Sequence, residues 1–207
     1  MSRTRIKICG LTRPDDVRAA VDAGADAIGF VFYPPSPRNL SFSRAAELAA
    51  LLPPFVTAVG LFVNPDAQFV AQARAEVPLQ LLQFHGDESD AECAHHGLPW
   101  IKAARMRPGV DLVEFCASHP GARGILLDAF VDGYGGGGKT FDWSLIPPEP
   151  GRPLILSGGL DPANVEEAVR RVRPWAVDVS SGVEVAKGIK DAAKIAAFIA
   201  GVRHADG

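Results

Sequence analysis

Short apolar runs alternate with longer amphipathic stretches from one end of the chain to the other. The apolar runs are nearly continuous, which is typical of strands buried on both faces of a sheet. We predict eight strands, at residues 5–9, 27–32, 56–63, 79–84, 100–103, 124–127, 154–156 and 176–179. The intervening stretches have helical periodicity, so the pattern predicts a repeated β-α unit.

Helix boundaries are marked by proline, acidic residues and glycine. Pro14 is followed by two aspartates and predicts the start of the first helix, and Gly24 predicts its end. Further helices are predicted at residues 43–52, 65–76, 87–96, 110–119, 162–172 and 191–202. Between the sixth and seventh strands the helical pattern is poor. There a glycine-rich loop precedes a short piece at residues 142–146.

This alternation predicts a parallel sheet whose outer face is covered by helices. The 207 residues, 47% of them hydrophobic, suffice for one large core, and no linker interrupts them. We therefore expect an α/β fold, a single-domain (β/α)8 barrel over residues 1–207. The alternative is an open doubly wound sheet, which more often carries Gly-x-Gly-x-x-Gly after its first strand. Here Cys9-Gly10-Leu11 stands at that place.

Charge and composition favour a small-molecule partner. The net charge of -3 and the scattered basic residues argue against nucleic acid. No apolar run reaches the length of a membrane span, and the first residues lack a secretory signal, so we expect a cytoplasmic protein with no membrane partner. The three cysteines, Cys9, Cys93 and Cys116, have no metal-ligand spacing and fit a reducing compartment. No metal is expected.

Two consecutive strand-to-helix loops are rich in small residues. Ser157-Gly158-Gly159 follows the seventh strand, and Ser180-Ser181-Gly182 follows the eighth. Small residues leave backbone N–H groups accessible to an anion. A (β/α)8 barrel commonly binds phosphate in these two loops, so we predict one phosphate site shared by both.

Other polar residues stand where the predicted strands end, at the face on which such barrels carry their active sites. They are Cys9, Asn64, Gln83, His85, Asp87, Lys102, Arg105, Asp128 and Asp178, with Arg38 in the loop after the second strand. Each also has an ordinary structural explanation. Cys9 is equally explained as a small buried hydrophobe, Asp128 as a cap and Arg38 as a solvated surface residue. Lys102 and His85 are expected to support loops, and Lys7 to point away from Cys9.

Seven motifs, in order along the whole chain, together resemble the phosphoribosylanthranilate isomerase family of tryptophan biosynthesis. They are Lys7-Ile8-Cys9-Gly10-Leu11-Thr12, Gly29-Phe30-Val31-Phe32 with Ser36-Pro37-Arg38, Gln83-Phe84-His85-Gly86, Leu127-Asp128, Gly138-Lys139-Thr140-Phe141-Asp142-Trp143, Ser157-Gly158-Gly159-Leu160 and Asp178-Val179-Ser180-Ser181-Gly182-Val183-Glu184. Three places depart from the family pattern: Asn39, Phe84 and residues 186–191, which lack the usual Pro-Gly.

The resemblance implies an Amadori rearrangement of N-(5-phosphoribosyl)anthranilate without cofactor or metal. It places the general base at Cys9, the general acid at Asp128 and the anthranilate carboxylate at Arg38. It gives phosphate binding to the two glycine loops. The substrate-binding residues expected in and beside these loops are Gly158, Gly159, Asp178, Ser180, Ser181 and Gly182. The protein is expected to be a monomer or a homodimer. Residues 135–138, all glycine, are expected to form a lid over the substrate or a plain surface loop, and the two interpretations are compatible.

Two other functions fit parts of the pattern. A related phosphosugar lyase or synthase would use Lys102 as its base or Schiff-base residue. A catalytically silent phosphate-binding subunit would keep the glycine loops but would not need Cys9, Asp128 and Arg38 together. Since all three are present, the isomerase is favoured.

Overall fold

The computed structural model describes residues 3–129, 140–147 and 151–207. Eight of its strands form a closed parallel barrel. They are β1 (Arg5–Cys9), β2 (Ala27–Phe32), β3 (Thr57–Phe62), β4 (Leu81–Phe84), β5 (Trp100–Met106), β6 (Ile125–Ala129), β7 (Leu154–Leu156) and β8 (Ala176–Val179). Each strand pairs with the next, and β8 pairs with β1 to close the ring. The predicted (β/α)8 barrel is therefore confirmed over the open sheet.

Helices follow the strands around the barrel. In the described ranges they are α1 (Pro14–Ala23), α2 (Phe42–Ala49), α3 (Ala67–Glu76), α4 (Asp90–Ala94), α5 (Leu112–Ser118), α6 (Val165–Val172) and α7 (Ala192–Asp206). A 3₁₀ turn, Trp143–Leu145, forms the short piece predicted before β7. Gly24 ends α1 in the left-handed conformation, as its position predicts.

Strand boundaries were predicted more accurately than helix boundaries. β1, β2, β7 and β8 begin and end at the predicted residues. In contrast, α4 begins three residues later than predicted, because Ser89 and Glu92 form a capping box that starts the helix after Ser89, and it has only five residues. Helix α6 begins three residues later than predicted, because the Asp161 side chain accepts the amides of Ala163 and Asn164 in a turn ahead of it.

One strand pair was not predicted. β9 (Glu184–Ala186) and β10 (Ile189–Lys190) form an antiparallel hairpin between β8 and α7. Gly188 has a φ of 79° at its turn. This hairpin occupies the segment that lacks the Pro-Gly usual in the resembled family, and it carries two charged residues of the site described below.

The barrel strands separate two apolar layers. In β5, Trp100 and Ala104 pack among helix residues in the main core. The alternate residues Ile101 and Ala103 pack instead with Leu126 and residues of β7 and β8, in a cluster without helix residues. Alternation along a strand therefore places this second cluster inside the barrel. It fills the interior near the strand beginnings and leaves the polar residues to the strand ends.

Candidate active site

Cys9 is the last residue of β1 and lies inside the barrel. Its side chain packs with apolar residues of β2 and β3 and is 4% exposed. Burial raises the pKa of the thiol above its ordinary value, and Asp178 adds to this increase. The ammonium groups of Lys7 and Lys190 act in the opposite direction. Cys9 is thus a buried thiol among charged groups rather than a hydrophobe in an apolar core.

Lys7 points to the same side of β1 as Cys9, so the prediction that it points away is wrong. Residues two apart in a strand share a face, and it is the intervening Ile8 that faces the helix layer. Lys7 Nζ donates to Asp178 Oδ1 at 2.7 Å, and both Nζ and Cys9 Sγ border the space beside Gly29. Asp178, which was predicted to bind substrate, is buried in this ion pair and accepts a hydrogen bond from Ser157 Oγ at 3.1 Å.

Asp128 stands near the end of β6 and is 8% exposed. Its Oδ2 lies 3.0 Å from Nε2 of His85, which follows β4. On the far side of the imidazole, Gln83 Nε2 lies 3.1 Å from Nδ1. Because an amide N–H at Nδ1 leaves the ring proton on Nε2, His85 donates to Asp128 in this arrangement. Two buried side chains, His85 and Gln83, thus fix the orientation of the Asp128 carboxyl group.

The loops after β7 and β8 lie against each other. Gly158 and Gly159 have φ angles of 78° and 68°, which glycine adopts without steric cost. A Cβ on Gly182 would overlap the carbonyl oxygen of Leu160, so the close approach of the two loops requires glycine there. Within the described ranges, the amides of Gly158 and Gly159 donate to no acceptor. They are available to an anion.

The second loop is tied to the hairpin by a buried lysine. Lys190 Nζ donates to the backbone oxygen of Ser180 at 3.0 Å and to its Oγ at 3.2 Å. It also donates to Glu184 Oε1 at 2.8 Å. Ser180 and the adjacent Ser181 are half-buried. A positive charge therefore stands directly behind the loop predicted to bind phosphate.

Arg38 is paired with a carboxylate. Its Nε and Nη2 donate to the two oxygens of Glu184 at 2.7 and 2.8 Å. Burial raises the pKa of Glu184, but Arg38 and Lys190 more than offset this, and the pKa lies below its ordinary value. Within the described ranges, Arg38 Nη1 makes no hydrogen bond, so the end of the guanidinium is available for a second carboxylate.

Glu184 and Lys190 were missed by the sequence analysis. Glu184 belongs to a quoted motif, but nothing in its position predicts contact with Arg38, which lies 146 residues earlier. A signal was present, since one acidic and one basic residue, Glu184 and Lys190, follow closely after the last barrel strand. It becomes interpretable only once the hairpin is known.

Lys102 faces away from the barrel interior. It lies in β5 between Ile101 and Ala103, which face inward, and its own side chain is buried on the outer side. Nζ donates to the Gly86 carbonyl at 2.6 Å and to Glu88 at 3.0 Å. The orientation of Lys102 argues against the alternative function in which this lysine is the base or Schiff-base residue.

Three further expectations from the sequence concern the glycine run, a metal site and a membrane span. The glycines at 135–138 are outside the described residues. Among the residues that are described, no group of three or more His, Cys, Asp and Glu side chains is arranged to hold a metal ion. In the same ranges no helix is both long and apolar enough to cross a membrane.

Comparison with known proteins decides the family. The family model for N-(5'-phosphoribosyl)anthranilate isomerase matches residues 6–201. The chain belongs to this isomerase family. A family member from Dechloromonas aromatica is 65% identical, over 99% of this chain and 98% of its own length. A second, from Leptothrix cholodnii, is 63% identical over 99% and 93% of the two chains.

Solved structures of the isomerase family have the same fold. The phosphoribosylanthranilate isomerase of Thermotoga maritima superimposes with a TM-score of 0.89 at 43% identity, covering 97% of this chain and 99% of that one. Another structure of the enzyme, with reduced 1-(o-carboxyphenylamino)-1-deoxyribulose 5-phosphate bound, gives a TM-score of 0.85 at 40% identity over the same shares. The resemblance noted in the sequence is therefore confirmed over nearly the whole chain.

Proposed function

We propose that this isomerase converts N-(5-phosphoribosyl)anthranilate to 1-(2-carboxyphenylamino)-1-deoxyribulose 5-phosphate with Cys9 as base and Asp128 as acid, in tryptophan biosynthesis. The observation that carries the assignment is the position of both residues at strand ends within one barrel mouth, beside two glycine loops. In the ring of strands, β1 and β6 are separated by β7 and β8. The two groups therefore reach a bound sugar from different directions.

The substrate carries an anion at each end, and the mouth offers a site for each. The phosphate binds to the amides of Gly158 and Gly159 and to the loop of Ser180, Ser181 and Gly182, where Lys190 supplies charge. The anthranilate carboxylate binds to the free edge of Arg38 while Glu184 holds the other edge. These two contacts leave the sugar between Cys9 and Asp128.

Asp128 carries out the first proton transfer. It protonates the furanose ring oxygen, the bond between that oxygen and C1 breaks, and the nitrogen lone pair forms the C1=N bond of a Schiff base. His85 holds the carboxyl group in place during this step. Its role here is support, as the sequence analysis expected.

Cys9 carries out the second proton transfer. Its thiolate removes the proton from C2, and the C–H electrons form the C1=C2 bond of an enolamine as the C1=N electrons return to nitrogen. The enolamine then takes a proton at C1 and loses the hydroxyl proton at C2, which gives the ketone. The cationic Schiff base makes the C2 proton acidic, so a thiolate suffices as base.

Arg38→Met is expected to raise KM at least tenfold with a smaller effect on kcat. The reason is loss of a charge-assisted contact to the anthranilate carboxylate, worth about 1.5–3 kcal/mol. Steady-state fluorescence assays measure both constants. Arg44→Met is the matched control, because Arg44 pairs with Glu47 on the exposed face of α2. An unchanged KM in Arg38→Met would contradict the proposal that the anthranilate carboxylate binds to Arg38.

Lys102→Met is expected to lower the free energy of unfolding by about 3 kcal/mol while the folded enzyme keeps its kcat. The substitution leaves Glu88 buried without its ion pair. Urea titration and assays on the folded protein check the two effects. The double variant Lys102→Met with Glu88→Gln should recover stability, since no uncompensated charge then remains. A large loss of kcat in folded Lys102→Met would instead revive the lysine-dependent alternative.

The domain extent, location, cofactor requirement and oligomeric state expected from the sequence are also proposals. We propose one domain over residues 1–207, a cytoplasmic location, and catalysis without cofactor or metal. Either a monomer or a homodimer is proposed. A structural relative, 39% identical, is a monomeric form of the dimeric phosphoribosylanthranilate isomerase from Thermotoga maritima. This chain exposes the whole side chain of Phe55, which has a φ of 73°.

A further inference from the structure

The proposed chemistry needs an ionised Cys9, yet burial opposes ionisation. Burial has the largest influence on the pKa of this thiol, and it raises that pKa. A lysine that no catalytic step uses lies within the same pocket. The Lys7 side chain is 6% exposed, although an unpaired ammonium is costly to bury.

Lys7 is held in place by a defined partner. Its Nζ is 2.7 Å from Asp178 Oδ1, and Asp178 Oδ2 accepts from Ser157 Oγ. Burial lowers the pKa of Lys7, but the charges of Asp178 and Cys9 outweigh it, and the pKa lies well above its ordinary value. Lys7 therefore remains an ammonium and cannot itself be the base.

The space between Lys7 and Cys9 is kept open by a glycine on the next strand. A Cβ on Gly29 would lie 2.7 Å from Cys9 Sγ and 3.1 Å from Lys7 Nζ. Both atoms therefore border the volume that the missing side chain leaves. A larger residue at this position in β2 would force Sγ or Nζ to move from these positions.

We propose that Lys7 is a positioning residue for the Cys9 base, and that its ammonium, anchored by Asp178, donates to Sγ and stabilises the thiolate. The inference rests on the proposed role of Cys9. In the reaction Sγ takes the C2 proton, and Lys7 keeps its own proton. Lys7 therefore increases the fraction of Cys9 that is ionised and takes no part in the proton transfer itself.

Other charges also face Cys9. Asp178 of β8 opposes ionisation, whereas Lys190 of β10 favours it, and Arg38 interacts with the thiolate from the loop after β2. Lys190 is shared with Glu184 and Ser180, and Arg38 with Glu184. Among these cations Lys7 has the largest effect on Cys9, and its Nζ borders the same space beside Gly29 as Cys9 Sγ.

The test compares wild type, Lys7→Met and Lys7→Arg. Thiolate absorbance near 240 nm is followed from roughly pH 6 to 11, and the Cys9→Ser version of each protein is subtracted to remove the other two thiols. Burial raises the pKa of Cys93 to about 12, so its signal overlaps little. The pH profile of kcat/KM is measured on the same proteins.

We expect Lys7→Met to move the thiolate midpoint upward by at least about one pH unit, because an adjacent opposite charge has an effect of that size. The acid limb of kcat/KM should move with it, a loss of about tenfold below the midpoint that is recovered at higher pH. The thiolate midpoint of Lys7→Arg, which keeps the charge, should fall between those of wild type and Lys7→Met. KM should change little.

An unchanged thiolate midpoint in Lys7→Met, with or without a loss of activity, overturns the inference and leaves Lys7 a structural residue. If Lys7→Met does not fold because Asp178 is left buried and unpaired, Lys7→Met with Asp178→Asn is compared with Asp178→Asn alone, so that the charge of Asp178 is absent from both proteins. Failure of the proposed function is recognised separately, since Cys9→Ser would then keep full activity.

Discussion

Cys9→Ser is expected to reduce kcat/KM by about a hundredfold or more. A serine hydroxyl in the same buried position is far less acidic than a thiol and does not supply a base for the C2 proton. Conversion of N-(5-phosphoribosyl)anthranilate, followed as loss of its fluorescence, measures the effect. The activity that remains should no longer depend on the thiol titration.

Two controls separate chemistry from folding and binding. Cys116→Ala alters another buried free cysteine, in α5 and outside the barrel interior, and should leave kcat/KM unchanged. Cys9→Ser should also bind the reduced product analogue as tightly as wild type. Full activity in folded Cys9→Ser would show that the base is another residue.

Asp128→Asn is expected to cause a loss of similar size, again about a hundredfold or more in kcat/KM. Asparagine keeps the shape of the side chain and a hydrogen bond with His85, but it has no acidic proton for the ring oxygen. The same fluorescence assay applies. Asp15→Asn is the matched control, since Asp15 is exposed and pairs with Arg18 on the surface of α1.

Ring opening is the step that Asp128→Asn should slow. Rescue of the rate with a substrate whose ring is already open would therefore support the assignment. A loss confined to KM would contradict it, because the acid would then be acting as a binding group.

The fold was predictable from the sequence because its signal is local. Strands buried on both faces are apolar along their length, so β1, β2, β7 and β8 could be delimited to the residue. The ends of the strands could then be located, and the positions of Cys9 and Asp128 at those ends could be predicted. Helix ends were less predictable, because side-chain caps such as Ser89 and Asp161 decide them.

The supporting contacts were not predictable because they join distant parts of the chain. Lys7 and Asp178 are 171 residues apart, and Arg38 and Glu184 are 146 apart. Only closure of the barrel brings β8 beside β1. Lys102 shows the opposite case, since alternation along β5 was enough to place it on the outer face once the strand was known.

The division of labour between acid and base is tested most directly by trapping the Schiff base with cyanoborohydride during a single turnover. Cys9→Ser should open the ring but not remove the C2 proton, so the reduced amine should accumulate above the enzyme-free level. Asp128→Asn should open the ring slowly and yield far less. Equal trapping in both variants, or more in Asp128→Asn, would contradict the account.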